Sequence, residues 1–195
     1  MRRPLTICAL SLIVAVVLAL SALPAMAEDN LVSANLGLFS PGADYDNSYD
    51  SFGPMMGISL IRVNEYAGLE FGLSSYDIGS GGSGASALGL EILVHFQGRD
   101  YDFQPFMALG MGVYETSFSD PYGELNDTGT GFVLKGGARY YFTIDREYIT
   151  EEDKYFVGAY LKFFSNNISF PLEDNLPDVN AGGMALCFEA GIWTD

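Results

Sequence analysis

The sequence predicts an all-β fold from three observations. From Leu88 to Gln97, apolar residues alternate with glycine and polar residues, and a period of two is the signature of a β-strand. Eight segments of the chain show this alternation, and their apolar faces carry no charge. A soluble sandwich would instead show charge on its water-facing side. Together these observations predict an eight-stranded antiparallel up-and-down transmembrane β-barrel.

Most of the predicted strands have about the length of a tilted bilayer-spanning strand, roughly 9–11 residues. Their bounds follow from where each alternating pattern meets glycine, proline or a charged cluster. Because the number of strands is even, both termini are expected on the same, periplasmic rim. The predicted strands are residues 31–39, 53–63, 66–76, 86–97, 103–117, 129–142, 155–165 and 181–193.

The connections between these strands alternate in length, as is typical of outer-membrane barrels with short periplasmic turns and long outer loops. The first long loop is acidic, the second is rich in glycine and serine, and the last contains Pro171 and Pro177. Long loops are predicted at 42–52, 77–85, 118–128 and 166–180, short turns at 64–65 and 98–102, and a charged segment of intermediate length at 144–154.

The start of the chain has the organisation of a secretory signal. Arg2 and Arg3 precede a long apolar stretch, which ends in the small-residue pattern Ala25-Met26-Ala27. An uncleaved membrane anchor is the alternative that the cleavage pattern disfavours. The predicted division is a signal peptide at 1–27, cut between Ala27 and Glu28, and an outer-membrane barrel domain at 28–195.

The composition limits the partners. The net charge is −16 over 195 residues, and removal of Arg2 and Arg3 with the signal makes the mature chain still more acidic. This excludes nucleic acid, which requires a basic face. It also disfavours anionic lipid head groups unless divalent cations intervene. Cys187 is the only cysteine beyond the signal, so we expect a buried, inert thiol and no intramolecular disulfide.

Aromatic residues cluster near the predicted strand ends, where membrane barrels carry interfacial girdles. Ordinary strand propensity would explain each aromatic residue taken singly, so only the clustering indicates a girdle. The predicted periplasmic girdle contains Tyr66, Phe96, Phe103, Tyr140, Phe142, Tyr155 and Trp193, and the predicted outer girdle contains Phe39, Phe52 and Tyr76.

The inward face is predicted to hold glycines, larger polar neighbours and a set of ionisable residues. Side chains fill the narrow interior of an eight-stranded barrel, and charges buried there must pair. We therefore expect an interior charge network with Lys162 and Glu189 as its firmest pair. Structural filling is the favoured role, and a gate that opens by partner exchange is the alternative. The network is predicted to contain Glu70, Glu91, Lys135, Arg139, Lys162 and Glu189.

No catalytic, metal or cofactor set can be assembled. His95 is the only histidine, and Glu91, four residues away on the same strand, lies about 13 Å from it. The acidic run from Asp44 to Asp50 is spaced somewhat like a calcium loop, but Met55 stands where an EF-hand needs its closing glutamate. Acidic loops could still bind divalent cations loosely and through them contact lipopolysaccharide phosphates.

Two segments, Pro105–Gly112 and Leu134–Phe142, resemble the fifth and sixth strands of small outer-membrane β-barrel proteins. That group includes the OmpA-like transmembrane domain and the opacity-type and OmpW-like proteins. The resemblance implies the barrel fold and an outer-membrane location, in a group that contains anchors, adhesins, narrow channels and lipid enzymes. The chain departs from the group in ending Trp193-Thr194-Asp195, where members commonly end in the aromatic residue that the barrel-assembly machinery reads. We also expect no wall-binding domain, and therefore no OmpA-style tether to the cell wall.

We therefore expect a non-enzymatic, monomeric outer-membrane barrel of a Gram-negative envelope, with a structural or surface-interacting role. Its expected partners are outer-membrane lipids, lipopolysaccharide and the assembly machinery. The alternatives are a narrow channel or OmpW-like conduit for small or apolar solutes, a lipid-modifying enzyme and a soluble lipocalin-like binder. The missing catalytic set opposes the enzyme, and the uncharged outer face opposes the soluble binder.

Overall fold

The computed structural model describes residues 29–42, 52–64, 66–80, 83–98, 102–120, 123–143, 154–168 and 179–194. Every regular element in these ranges is a β-strand, and none of them contains a helix long and apolar enough to cross a membrane. The strands are β1 Asp29–Pro41, β2 Gly53–Asn64, β3 Ala67–Ser80, β4 Ser83–Gln97, β5 Phe103–Asp120, β6 Gly123–Thr143, β7 Lys154–Phe164, β8 Asn167–Ile168, β9 Val179–Asn180 and β10 Gly183–Thr194.

The long strands close into an eight-stranded antiparallel barrel, which confirms the predicted fold class. Strands β1 to β7 pair in chain order, β7 pairs with β10, and β10 pairs with β1. Asn35 on β1, for example, lies opposite Gly57 on one side and Glu189 on the other. Closure gives each long strand a hydrogen-bonded neighbour along both of its edges, as a strand surrounded by lipid requires.

Exposure alternates along the strands as the sequence pattern predicts. On β1, Leu36 is 62% exposed and Leu38 is 63% exposed, whereas Leu31 and Phe39 are fully buried. The outward side chains are apolar through the middle of the wall, and the outward charges Arg62, Asp77, Glu115 and Glu124 lie toward strand ends. We call the end of the barrel with the chain termini the lower rim and the opposite end the upper rim.

The predicted loops at 77–85 and 118–128 are wrong, because strands continue through most of both segments. Gly79 pairs with Gly84 on one hairpin, and Asp120 pairs with Gly123 on the other. The hydrogen bonds between strands are made by the backbone. Segments rich in glycine, serine and acids can therefore continue a strand pair whose register is already set in the lower part of the barrel.

The other connections agree in part with the sequence. Asn64 pairs with Ala67, as the predicted tight turn requires. Within the predicted loop at 166–180 the structure has two short strands, β8 and β9. The predicted signal with its cleavage position, the acidic loop residues at 43–51 and the segments 144–153 and 169–178 lie outside the described residues.

The aromatic girdles are only partly as predicted. Residues such as Tyr66, Phe103 and Tyr140 are exposed on the outer face. Phe39 and Tyr76 do not belong to the outer girdle, because both are buried inside the barrel with ring centroids 4.3 Å apart. Trp193 also faces inward, with its ring edge-on to Tyr141. All three residues fall at the inward parity of their strands, which their position near a strand end obscured.

Large apolar side chains fill much of the interior, where the sequence analysis expected mainly small and ionisable residues. They form two groups, an upper cluster and a lower cluster. The upper cluster consists of Phe39, Met55, Tyr76, Ile78, Ala85, Ala87, Leu93, Phe106, Ala108, Tyr114, Val133, Tyr160, Phe164, Ala185 and Cys187. The lower cluster consists of Leu31, Ile61, Val63, Tyr141 and Phe156, with Trp193 packed against it.

Candidate functional site: a buried charge network

The six predicted ionisable residues all occupy inward positions in the interior. They come from β3, β4, β6, β7 and β10, and all are buried. Each of the six residues stands at an inward-facing position of its strand. A charged group at such a position can reach solvent only along the barrel axis. The structure brings the six together as three acids and three bases: Glu70, Glu91, Glu189, Lys135, Arg139 and Lys162.

Lys135 lies between two of the acids. Its Nζ is 2.7 Å from Oε1 of Glu70 and 3.3 Å from Oε2 of Glu91. A single ammonium group thus joins β3 and β4 to β6 across the interior. The hydroxyl of Ser59 also donates to Oε1 of Glu70, at 3.1 Å.

Glu91 is the most heavily bonded acid. Its Oε1 accepts hydrogen bonds from Lys162 Nζ, from Ser74 Oγ at 2.6 Å and from Tyr114 OH at 3.1 Å. Tyr114 reaches this carboxylate over two glycines: a Cβ on Gly89 would lie 2.2 Å from its ring, and one on Gly112 would lie 2.7 Å from it. These glycines provide the space that the tyrosine side chain occupies.

The predicted firmest pair, Lys162 with Glu189, is wrong. Lys162 forms an ion pair with Glu91, and Glu189 forms one with Arg139. The register explains the error, because Ala185 lies opposite Lys162 whereas Glu189 lies opposite Gly158. Four residues along a strand separate Glu189 from the level of Lys162, about 13 Å. Knowing that two strands are neighbours does not show which of their residues lie opposite each other; that depends on the register.

Arg139 is held on several sides. Its Nε donates to Glu189 Oε1 at 2.7 Å and its Nη2 donates to Glu189 Oε2 at 3.3 Å. The guanidinium carbon lies 3.9 Å from the centroid of the Phe106 ring and 5.2 Å from that of Phe156. The paired nitrogens match both carboxylate oxygens, and the rings pack on a planar cation, an arrangement suited to arginine rather than lysine.

His95 joins the two parts of the network. Its Nδ1 is 3.1 Å from Glu70 Oε2, and its Nε2 is 3.2 Å from Arg139 Nη1. Arginine can only donate, so Nε2 is the acceptor and Nδ1 carries the proton that is donated to Glu70. These partners lie on β3 and β6, whereas the sequence pattern relates His95 only to residues of its own strand, such as Glu91.

The connected chain therefore runs from Glu189 through Arg139, His95, Glu70, Lys135 and Glu91 to Lys162. With a neutral His95, three negative and three positive charges balance. Every acid has at least one cationic partner, which is the condition under which charges are tolerated away from water.

Above the network, the short strands β8 and β9 and the residues next to them fold into the mouth of the barrel. We call residues 165–168 and 179–182 the upper flap. Asn166 and Ala181 in this flap are fully buried. The side-chain amide of Asn166 donates to Thr116 Oγ1 on β5 at 2.8 Å, and the hydroxyl of Tyr76 on β3 donates to the carbonyl of Ala181 at 2.6 Å. The sequence analysis did not anticipate these bonds between the flap and other walls.

The chemistry of the interior is that of paired charges. Within the described part of the chain, no group of three or more histidine, cysteine or acidic side chains has the geometry of a metal site. Both nitrogens of His95 are engaged by network partners, and Cys187 is buried with a free thiol.

Comparison with known proteins identifies the architecture. The family described as "Outer membrane protein beta-barrel domain" matches residues 12–167. The structure is similar to that of Ail, the attachment invasion locus protein of Yersinia pestis, with 10% identity, a TM-score of 0.53, and coverage of 87% of this chain and 99% of that chain. Ail in complex with the heparin analogue sucrose octasulfate gives 12% identity, a TM-score of 0.51, and coverage of 87% and 99%.

The N-terminal β-barrel domain of Pseudomonas aeruginosa OprF is similar at 14% identity and a TM-score of 0.49, with coverage of 85% of this chain and 97% of that chain. The likeness to Ail, at 10–12% identity and TM-scores of 0.51 and 0.53, shows a shared fold. No curated protein matches the sequence.

Proposed function

Since this chain belongs to the outer membrane protein beta-barrel domain family, we propose that it is a non-enzymatic barrel with a structural or surface-interacting role, whose interior is plugged by its charge network. Membership of the family implies an outer-membrane location. In this proposal the lower rim faces the periplasm and the upper rim faces outward.

One observation carries the proposed plug: a connected ionic network is buried above the lower cluster and against the upper cluster, whose Leu93, Phe106 and Ala108 lie at the level of the network. A hydrated ion would have to displace the rings of the upper cluster, separate ion pairs such as Lys135–Glu70, and then pass the lower cluster. Breaking a buried pair by removing one partner costs about 3–5 kcal/mol. Opening a continuous water path requires several such steps together.

The absence of enzymatic activity is supported by the state of the polar interior groups. His95 has no nitrogen left for a general base, since one donates to Glu70 and the other accepts from Arg139. Among the residues that the structure describes, no serine or cysteine nucleophile contacts it.

We further propose how the chain is exported and which molecules it contacts. Residues 1–27 act as a signal peptide cleaved before Glu28 in a Gram-negative envelope. The mature barrel is inserted by the barrel-assembly machinery and functions as a monomer. Its acidic outer rim contacts lipopolysaccharide through divalent cations.

A narrow, gated channel is the second candidate, and the position of Lys135 favours it. Its Nζ is close to both Glu70 and Glu91, so it could transfer fully from one acid to the other. Such an exchange of partners would open a path only if water also entered the upper cluster.

Single-channel recording in planar lipid bilayers tests the plug. We predict no steady ion conductance for the wild-type barrel. Lys135→Glu should produce conductance steps, because it places a third negative charge beside Glu70 and Glu91 and forces water into the interior. Lys154→Glu makes the same charge change at an exposed position near the lower rim, where the ammonium lies 5.1 Å from the Trp193 ring centroid and outside the network. It is the matched control and should stay silent.

Folding of each variant is checked by gel mobility of boiled and unboiled protein. Steady conductance of the folded wild type would reject the plug and favour the channel. Silence of a folded Lys135→Glu barrel would show that the charges do not control the path.

A further inference from the structure

The hairpin formed by β5 and β6 extends beyond the neighbouring part of the barrel wall. Strand β6 pairs with β5 from Gly123 to Tyr140. On its other side it pairs with β7 only up to Val133 and with β8 only at Thr130. From Glu124 to Thr128, no strand in the described ranges pairs with this second side. Among the described strands, these residues therefore form an edge of the sheet at the upper rim.

The register shows which backbone groups point to this edge. The carbonyl of Phe132 accepts from the backbone N–H of Ser165 at 3.0 Å, and the N–H of Phe132 donates to Ser165 Oγ at 3.0 Å. In an antiparallel strand, both groups of a residue point to the same side and the side alternates with each residue. The N–H and C=O groups of Glu124, Asn126 and Thr128 are therefore directed to the edge.

Asp127 already covers one of these groups. Its carboxylate accepts from the N–H of Thr128 at 2.7 Å. Within the described part of the chain, the edge groups that remain for an added strand are the N–H and C=O of Glu124 and Asn126 and the C=O of Thr128. They repeat every second residue, which is the spacing that an extended peptide presents in return.

The charge around the edge selects its occupant. Glu124 is exposed, and its carboxylate accepts from Ser117 Oγ at 2.9 Å and from Asn126 Nδ2 at 3.4 Å. Exposed Glu115 lies on the same face of the neighbouring strand, opposite Thr128. A second copy of this acidic chain would bring like charges together across the new pair. A basic strand would bring opposite charges together.

We propose that the β6 edge from Glu124 to Thr128 binds an extended peptide segment with basic side chains at alternating positions, by adding a strand to the sheet. The inference deepens the proposed surface-facing role and rests on it, but not on the plug. Backbone bonds to Glu124 and Asn126 supply the attachment, and Glu115 and Glu124 select for positive charge.

A proline substitution separates backbone binding from general attraction. Asn126→Pro removes an edge N–H without removing a β5–β6 hydrogen bond, because that N–H points away from β5. Proline is tolerated on an edge strand when its missing N–H faces away from the partner strand. Asn126→Ala is the matched control, since it removes the same side chain and keeps the N–H.

The probe is a short, end-blocked, fluorescent peptide of alternating lysine and valine, titrated against the folded barrel in detergent micelles and read by anisotropy. Wild type and Asn126→Ala should bind it with similar affinity. Asn126→Pro should weaken binding about tenfold, the value of one good hydrogen bond. An alternating glutamate–valine peptide should not bind, and Glu124→Gln should reduce the salt dependence of lysine–valine binding.

Equal binding by Asn126→Pro and Asn126→Ala would overturn the proposal and reduce the effect to non-specific attraction. Lack of binding to wild type would also overturn it, as would dimerisation of the barrel through this edge, detected by cross-linking. Failure of peptide binding with an electrically silent barrel would reject the edge and leave the plug intact. Peptide binding by a barrel that conducts ions would support the edge and reject the plug.

Discussion

Arg139 is the side chain on which the lower part of the charge network depends. It makes two hydrogen bonds to Glu189 and one to His95, and it packs on the Phe106 ring. Its neighbour His95 is fixed in one tautomer by Arg139 on one side and Glu70 on the other. Loss of Glu189 would therefore leave the buried Arg139 charge without its carboxylate partner.

Replacement of Glu189 by alanine is predicted to destabilise the barrel by about 3–5 kcal/mol, since it leaves the buried Arg139 guanidinium without its carboxylate. The measurement is the free energy of unfolding from urea titration in lipid vesicles. Glu124→Ala, at an exposed rim position, is the control and should change the stability by less than about 0.5 kcal/mol.

The double variant Arg139→Met with Glu189→Leu separates the cost of an unpaired charge from the value of the pair. Replacing a buried pair by apolar residues of similar volume is often neutral or stabilising. It should therefore recover most of the stability that Glu189→Ala loses. A loss for Glu189→Ala no larger than that for Glu124→Ala would show that Arg139 does not need this partner.

The individual strands show what a sequence pattern can and cannot specify. The period-two alternation predicted the eight long strands and their lipid-facing sides, because burial by lipid acts on every second residue. It did not predict the upper strand ends at Ser80, Ser83, Asp120 and Gly123, where backbone pairing continues without any apolar pattern. Nearness to strand ends predicts that Phe39 and Tyr76 belong to the outer girdle, whereas their positions in the alternation face inward.

The upper flap is an element that only the three-dimensional structure reveals. Phe164, Ser165 and Asn166 are consecutive and all buried, which no regular strand with a solvent- or lipid-facing side produces. The flap is held to the walls by Asn166 with Thr116 and by Ala181 with Tyr76. Nothing in the local sequence indicates these bonds, since their partners are distant along the chain.

Asn166→Ala is predicted to loosen the flap rather than the barrel. It leaves the buried Thr116 hydroxyl without its amide donor, a cost of about 1–3 kcal/mol. Amide hydrogen exchange should accelerate at Ser165 and Gly182, whose N–H groups are bonded within and beside the flap, while strand β1 remains protected.

The neighbouring Asn167 is exposed and provides the control, because Asn167→Ala should leave exchange at both positions unchanged. Equal acceleration in the two variants, or faster exchange throughout β1, would contradict a local role for the Asn166 bond.

The whole molecule is a barrel filled by an upper apolar cluster that reaches down to the charge network, by the network itself and by a lower apolar cluster. The presence of six inward charges was predictable, because each falls at the inward parity of its strand. Their pairing was not, because Lys162 meets Glu91 rather than Glu189 as a result of register and of contacts across the interior. Large apolar side chains inside, such as Leu93 and Phe106, also stand at the inward parity of their strands. They were missed because the prediction of a polar interior took only small, polar and ionisable residues into account.

Cys187 provides the most direct test of a filled interior. Its side chain is fully buried in the upper cluster, close enough to β1 that a Cβ on Gly37 would lie 2.7 Å from its Sγ. The measurement is the rate at which a small, charged thiol reagent modifies Cys187 in the folded chain 28–195, read by mass spectrometry on the peptide that contains it. A filled interior predicts modification only at the rate of unfolding, and complete modification in urea. Rapid modification of the folded barrel would show that water and solutes enter the interior, and would contradict the plug.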